Sequence, residues 1–121
     1  MKNKKWWSLI NFVHAFRGIF FLIKSERNPT IYLIVTGIVA LAARHYHLDR
    51  IECCLLLFAI VLVWTAEALN TAIELLADEI SEEKSERLGR AKDVAAGGVL
   101  IAAIIAAAIG IMVFLPHWAL S

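Results

Sequence analysis

Polar and apolar positions in this chain fall into long blocks. Residues 6–24 (WWSLINFVHAFRGIFFLIK) are apolar and aromatic, interrupted by Ser8, Asn11, His14, Arg17 and Lys24. The recurrence of Ser8, Asn11 and His14 every three residues predicts a helix with a narrow polar face. Two tryptophans and flanking lysines suit an amphipathic helix lying in the headgroup layer of a membrane. The alternative, a fourth spanning segment, would place Arg17 near mid-bilayer at a cost of about 2.5–3.5 kcal/mol.

Ser25-Glu26-Arg27-Asn28-Pro29 breaks the pattern. Proline disfavours helix at the residue before it and can open the next helix in its first turn. An apolar span is expected over 30–48, with Arg44, His45 and His47 reaching the far interface by snorkelling. His47-Leu48-Asp49-Arg50 is a tight connection. A second span runs over 51–77 without a helix breaker and leaves the membrane near Asp78. Residues 78–93 (DEISEEKSERLGRAKD) form a long polar stretch, in which Ser81 with Glu82 and Glu83 could open a short helix and Gly89 could bend the chain. A third span covers 94–115 and ends before Pro116. At about 1.5 Å per residue these spans match a hydrocarbon core about 30 Å thick.

Composition sharpens this picture. The chain has 121 residues, enough for one domain, and is 60% hydrophobic. Soluble domains sit near 45–50%, so the excess points to lipid. The formal net charge of +1 gives no electrostatic footprint for nucleic acid. Cys53 and Cys54 are adjacent, so they read as small buried apolar residues with neither a disulfide nor metal-ligand spacing. His14, Arg17 and Lys24 interrupt the apolar run that a signal peptide would need. Basic residues gather at the N-terminus (Lys2, Lys4, Lys5, Arg17, Lys24, Arg27) and in the polar loop (Lys84, Arg87, Arg90, Lys92), which places both in the cytoplasm. The Ala- and Gly-rich third span favours close helix approach in lipid, and hence an oligomer.

The candidate chemistry lies on the second span. Glu67, Asn70, Glu74 and Asp78 project within roughly 80° of one another on a helix. Such a stripe beginning inside an apolar span is costly, and an intramembrane ionisable group is a functional hypothesis by default. A helix-pairing clamp or a proton-pathway residue in a non-enzymatic membrane subunit is the competing reading of Glu67. At the cytoplasmic boundary the carboxylates of Glu26, Glu74, Asp78 and Asp93 gather with Lys92, the donor types that a Mg²⁺–nucleotide requires. No phosphate-binding Gly-rich loop is present. The residues alone imply an all-α membrane protein with a polar, metal-binding site at its cytoplasmic boundary.

Glu67-Ala-Leu-Asn-Thr-Ala-Ile-Glu74, then Asp78, then Ala91-Lys-Asp-Val-Ala-Ala-Gly-Gly-Val-Leu100 resembles the signature of the prokaryotic diacylglycerol kinase family, which includes undecaprenol kinases. The resemblance extends from Phe16-Arg17-Gly18 through Ser25-Glu26-Arg27-Asn28 to about Ile109. It implies a homotrimeric, ATP- and Mg²⁺-dependent lipid kinase of three transmembrane helices and an N-terminal surface helix. Glu67 would be the general base on the lipid hydroxyl, with Arg17 also on the lipid side and Asn70 organising the site. Glu26 and Glu74 would hold Mg²⁺ with ATP. Asp78, Lys92 and Asp93 would line the nucleotide site, together with Glu83, Lys84 and Ser85. His14 falls where some members carry a tyrosine near the nucleotide. Many members read Glu-Tyr-His where this chain has Glu83-Lys84-Ser85, so the histidine contact is missing. Ser25–Asn28 and Ala95-Ala96-Gly97-Gly98 resemble the undecaprenol kinase branch slightly more than the diacylglycerol kinase branch.

Overall fold

The structure, a computed structural model, describes residues 4–24, 29–80 and 85–120. Four helices follow one another, α1 (Lys4–Lys24), α2 (Pro29–His45), α3 (Arg50–Ile80) and α4 (Glu86–Ala119), and no strand occurs among the described residues. The chain divides into two compact units between Val35 and Thr36, within α2.

In the first unit, α1 is one continuous helix of 21 residues. The Lys24 ammonium lies over the Phe20 ring one turn back, 4.4 Å from its centroid. The expected narrow polar face does not form. A repeat of three drifts about 60° per step on a helix of 3.6 residues per turn. Ser8, Asn11, His14 and Arg17 therefore spiral half-way round the helix, and Leu9, Phe12, Phe16 and Phe20 are exposed beside them.

The second unit holds the end of α2 with α3 and α4. α2 is closed by paired backbone bonds: the Leu48 amide donates to the Ala43 carbonyl (3.2 Å) and the His47 amide to Arg44 (3.3 Å). His47 takes φ 52°, the left-handed position that commonly falls to glycine at such a helix end. α2 therefore stops at His45, short of the expected 48. Two residues later α3 opens on a reciprocal cap. The Glu52 amide donates to Asp49 Oδ1 (2.8 Å), and the Asp49 amide donates to Glu52 Oε1 (3.2 Å). The Trp64 indole N–H donates to Thr36 Oγ1 (3.1 Å), tying the end of α2 to α3.

Two contacts orient the long helices. Asp78 near the end of α3 meets Lys92 near the start of α4, and Glu52 at the start of α3 meets His117 at the end of α4. The helices are therefore antiparallel neighbours. The two contacts lie 26 residues apart on α3 and 25 apart on α4, about 39 and 38 Å at helical rise, so the pair stays in register along its length. Tyr46 packs its ring near Phe114 (6.2 Å) and His117 (5.9 Å) at the Glu52 end.

Both α3 and α4 are long and apolar enough to cross a membrane, with only 11% of each apolar window buried, unlike the core helix of a soluble protein. Leu57, Phe58, Val61, Ile101, Ile104 and Met112 stand exposed, while the buried set on α3 includes Glu67, Asn70 and Thr71. That inversion is unfavourable in water and suits hydrocarbon surroundings, where exposed aliphatic groups cost nothing. α2 has 17 residues, about 25 Å, and is shorter than a hydrocarbon core about 30 Å thick.

Four local expectations are corrected. α4 begins at Glu86, eight residues before the apolar span, because loss of charge marks a membrane boundary and not a helix start. Glu86-Arg87-Leu88 are good helix formers, and Arg90 pairs with Glu86 one turn back at 3.0 Å. Gly89 does not bend the chain: its amide bonds the Ser85 carbonyl at 2.9 Å, as a helical residue does. The helix also continues through Pro116 to Ala119. Proline there removes one amide in the last turn, and the Leu120 amide closes the end on the Pro116 carbonyl (3.1 Å). Finally, Cys53 and Cys54 are exposed, not buried, consistent with small thiols facing an apolar surrounding.

Candidate active site

α3 carries the polar stripe because its sequence leaves helical periodicity uninterrupted where apolar residues give way to Glu67-Ala-Leu-Asn-Thr-Ala-Ile-Glu74. The face that turns inward is a single strip. Leu56, Ala59, Glu67, Asn70, Thr71 and Ala77 are the buried residues of α3, and all fall within about 120° of the helix circumference. The same strip that buries aliphatic groups in the N-terminal half of the helix buries a carboxylate, an amide and a hydroxyl in the C-terminal half.

Relative exposure is 9% for Glu67, 8% for Asn70 and 8% for Thr71. Asn70 Nδ2 donates to Glu74 Oε1 at 3.3 Å, one helical turn on. That bond fixes the amide with its carbonyl oxygen turned away from Glu74. Asn70 Oδ1 and Thr71 Oγ1 are buried and meet no hydrogen-bond partner among the described residues. Buried polar groups are normally paired, so these atoms mark where the strip is incomplete within one chain.

At the C-terminal end of α3, Lys92 Nζ donates to Asp78 Oδ1 at 2.5 Å, with side chains 39% and 61% exposed. The ammonium is thus held by a carboxylate of the facing helix and remains partly open to water. Asp93, next along α4, is exposed. Ser85 is the N-cap of α4 in extended conformation and makes no side-chain cap bond, so its hydroxyl stands clear at the helix start. Two turns of helix separate it from Lys92.

The structure therefore brings Glu67, Asn70 and Glu74 onto one face, and joins Asp78 to Lys92 across the helix pair. Five further expected residues lie either outside the described residues or in the first unit. Glu26, Glu83 and Lys84 lie outside the described residues. His14 and Arg17 are exposed on α1 in the first unit. Among the described residues no group of three His, Cys, Asp or Glu side chains is close enough to hold a metal by itself. The hard oxygen donors present, chiefly the Glu74 carboxylate, nevertheless fit Mg²⁺. That ion is commonly held by one or two carboxylates, with phosphate and water completing its shell.

Two features were not anticipated from the sequence. Thr71 joins the buried strip, although its helical position, about 40° from Glu67, was available from the spacing. The bond between His117 Nε2 and Glu52 Oε2 (2.6 Å) joins residues 65 apart in sequence, and no local pattern points to it.

Comparison with known proteins places these features in a family. The profile for prokaryotic diacylglycerol kinase matches residues 13–114, a range that includes both α3 and the start of α4. An undecaprenol kinase from Bacillus subtilis (strain 168) is 36% identical over 106 residues, covering 88% of this chain and 86% of its own length. A diacylglycerol kinase from Synechocystis sp. is 36% identical over 109 residues, 89% of this chain and 62% of that protein. The diacylglycerol kinase of Escherichia coli (strain K12) is 47% identical over 58 residues, 48% of each chain.

Proposed function

The chain belongs to the prokaryotic diacylglycerol kinase family, and from that membership we propose that it transfers the γ-phosphate of ATP to the hydroxyl of a membrane lipid alcohol. The observation that supports this most is the buried carboxylate–amide strip on α3 that leads to the Asp78–Lys92 pair at the inner helix ends. A strip of this kind offers a base within the apolar layer and phosphate-binding groups at its edge.

In this reading Glu67 removes the proton from the lipid hydroxyl as that oxygen bonds to the γ-phosphorus. The bond from phosphorus to the β,γ-bridging oxygen breaks, and ADP leaves. Such chemistry asks the protein mainly for positioning and charge stabilisation. Asn70 holds Glu74 in place through its amide. Glu74, with Glu26, would ligate Mg²⁺, which when bound would neutralise phosphate charge. Lys92 exchanges its Asp78 partner for phosphate oxygens, and Asp78 keeps the ammonium near the site until then. Asp93, Ser85, Glu83, Lys84 and His14 complete the nucleotide side, and Arg17 serves the lipid side.

For the lipid we favour undecaprenol over diacylglycerol. Support comes from the Ser25–Asn28 and Ala95–Gly98 segments, and from an alignment that spans most of a relative named undecaprenol kinase. The protein is taken to sit in the bacterial cell membrane with its N-terminus in the cytoplasm and its C-terminus outside, as a homotrimer. Within one chain, a Cβ added at Gly97, Gly98 or Gly110 would meet nothing within 4 Å, so these glycines are not needed for close contact inside the protomer. Their use against a second copy would explain them.

The test is direct. Purified protein in mild detergent is given γ-labelled ATP, Mg²⁺ and either undecaprenol or a diacylglycerol. Label in undecaprenyl phosphate, lost on chelation of Mg²⁺, is the expected result. Label only in phosphatidic acid would overturn the substrate assignment, and no labelled lipid from either would overturn the kinase reading.

A further inference from the structure

Thr71 has no role in the mechanism above, yet it is more than nine-tenths buried on the same strip as Glu67 and Asn70. A helical threonine has a ready partner in the carbonyl four residues back. Thr71 Oγ1 uses neither that carbonyl nor any other partner among the described residues. A buried hydroxyl left in this state is destabilising, and valine would fill the same shape without that penalty.

Its position is informative. Thr71 lies about 6 Å along the helix axis from Glu67 and about 4.5 Å from Glu74. Helical side chains tilt toward the N-terminus, so the Thr71 side chain leans back toward the turn that carries Glu67. It stands between the residue proposed as base and the carboxylate proposed for the metal, the interval a phosphoryl group must cross.

Counting donors leads to the same place. Glu67, Glu74 and Asp78 are acceptors when ionised, and a phosphoryl group in transfer presents anionic oxygens that need donors. Lys92 stands with Asp78 beyond Glu74, so the donors between Glu67 and Glu74 are the Asn70 amide, which Glu74 holds through one N–H, and the Thr71 hydroxyl. The Thr71 hydroxyl is uncommitted. We propose that Thr71 is a further substrate-contacting residue, whose hydroxyl donates a hydrogen bond to an oxygen of the phosphoryl group as it passes between Glu67 and Glu74. The proposal rests on the lipid kinase reading.

Thr71→Val and Thr71→Ser test it beside the wild type, with turnover, KM for Mg–ATP and for lipid, and the thermal midpoint of ligand-free protein measured on the same preparations. Removing one donor from a charge-stabilising set typically costs about 10²–10³ in turnover. Thr71→Val should lose turnover toward that scale with both KM values nearly unchanged. Its thermal midpoint should equal or exceed that of the wild type, because an unpartnered hydroxyl has gone. Thr71→Ser should recover most of the turnover. Wild-type turnover in Thr71→Val would overturn the proposal. So would a serine variant as slow as the valine one, since the methyl group would then be what matters. A fall in thermal midpoint that accompanies the lost activity would assign the hydroxyl a structural partner and also overturn it. A wild type that labels neither lipid removes the kinase reading and this proposal together, whereas an active wild type with an equally active Thr71→Val removes the proposal alone.

Discussion

Replacing Glu67 with glutamine separates a base from a structural carboxylate. The side chain is nine-tenths buried and sits on the strip that α3 turns inward. Glutamine has nearly the same volume, so no cavity opens, and it can still hydrogen-bond. Stability should therefore hold. A positioned base contributes about 10²–10⁴ to rate, which at about 1.4 kcal/mol per decade is roughly 3–5 kcal/mol of barrier. The structure argues for the upper part of that range. The next carboxylates on the strip, Glu74 and Asp78, lie about 10 and 16 Å further along the helix axis, too far to reach the same hydroxyl. The assay follows labelled lipid for turnover, binding of a non-hydrolysable Mg–ATP analogue for the nucleotide site, and native mass spectrometry for assembly, all on one preparation. Turnover should collapse while nucleotide binding and oligomeric state persist. Near-normal turnover in an intact Glu67→Gln protein would refute the assignment, and loss of assembly with unchanged specific activity would make Glu67 a packing residue.

Asp78→Asn and Lys92→Met should each raise KM for Mg–ATP, with the double variant no worse than Lys92→Met; additive effects in that cycle would show that Asp78 does not act through Lys92. At the opposite end, Glu52→Gln should lower thermal stability by about 1 kcal/mol through the His117 contact while leaving turnover intact, because about 22 Å of helix separates Glu52 from Glu67. A large loss of turnover at unchanged stability would contradict that division of labour. In the α2–α3 connection, Asp49→Ala should cost about 1 kcal/mol by removing the cap, and His47→Gly should gain up to about 1 kcal/mol by relieving the left-handed residue; both are read from thermal unfolding in detergent, and equal midpoints for all three proteins would refute the cap geometry.

The sequence made the helices legible because three apolar blocks are separated by recognisable breaks. Pro29 opens α2, and Asp49 with Glu52 opens α3 on a pattern visible in four residues. It made the strip legible because Glu67, Asn70 and Glu74 follow helical spacing, and their burial agrees with that spacing. What it obscured has physical causes. The start of α4 was hidden because a charged helical turn looks like a polar loop when only hydropathy is read. A period of three in α1 resembles helical spacing, but its drift of about 60° per step dissolves the narrow polar face. The Asp78–Lys92 and Glu52–His117 contacts depend on which residues of two antiparallel helices face each other, information that no local pattern carries. Thr71 was missed because a threonine after an asparagine is unremarkable until its hydroxyl is found buried without a partner.

The two polar contacts at opposite ends of the helix pair also bear on how the strip keeps its alignment. In hydrocarbon, apolar surfaces gain nothing by meeting each other, so aliphatic contacts alone resist rotation or sliding weakly. A one-residue slip of α3 against α4 would turn each side chain by about 100° and carry Glu67, Asn70 and Thr71 off the inward face. Such a slip must also break either Asp78–Lys92 or Glu52–His117, whose partners would then face lipid or one another's backbones unpaired. The Glu52–His117 bond is the more buried of the two, with side chains 22% and 32% exposed, and the Tyr46 ring packs beside it. It therefore serves as the fixed end. The Asp78–Lys92 pair, with side chains 61% and 39% exposed, is more open to water. A helix pair joined by polar contacts at both ends therefore keeps Glu67, Asn70 and Thr71 on the inward face.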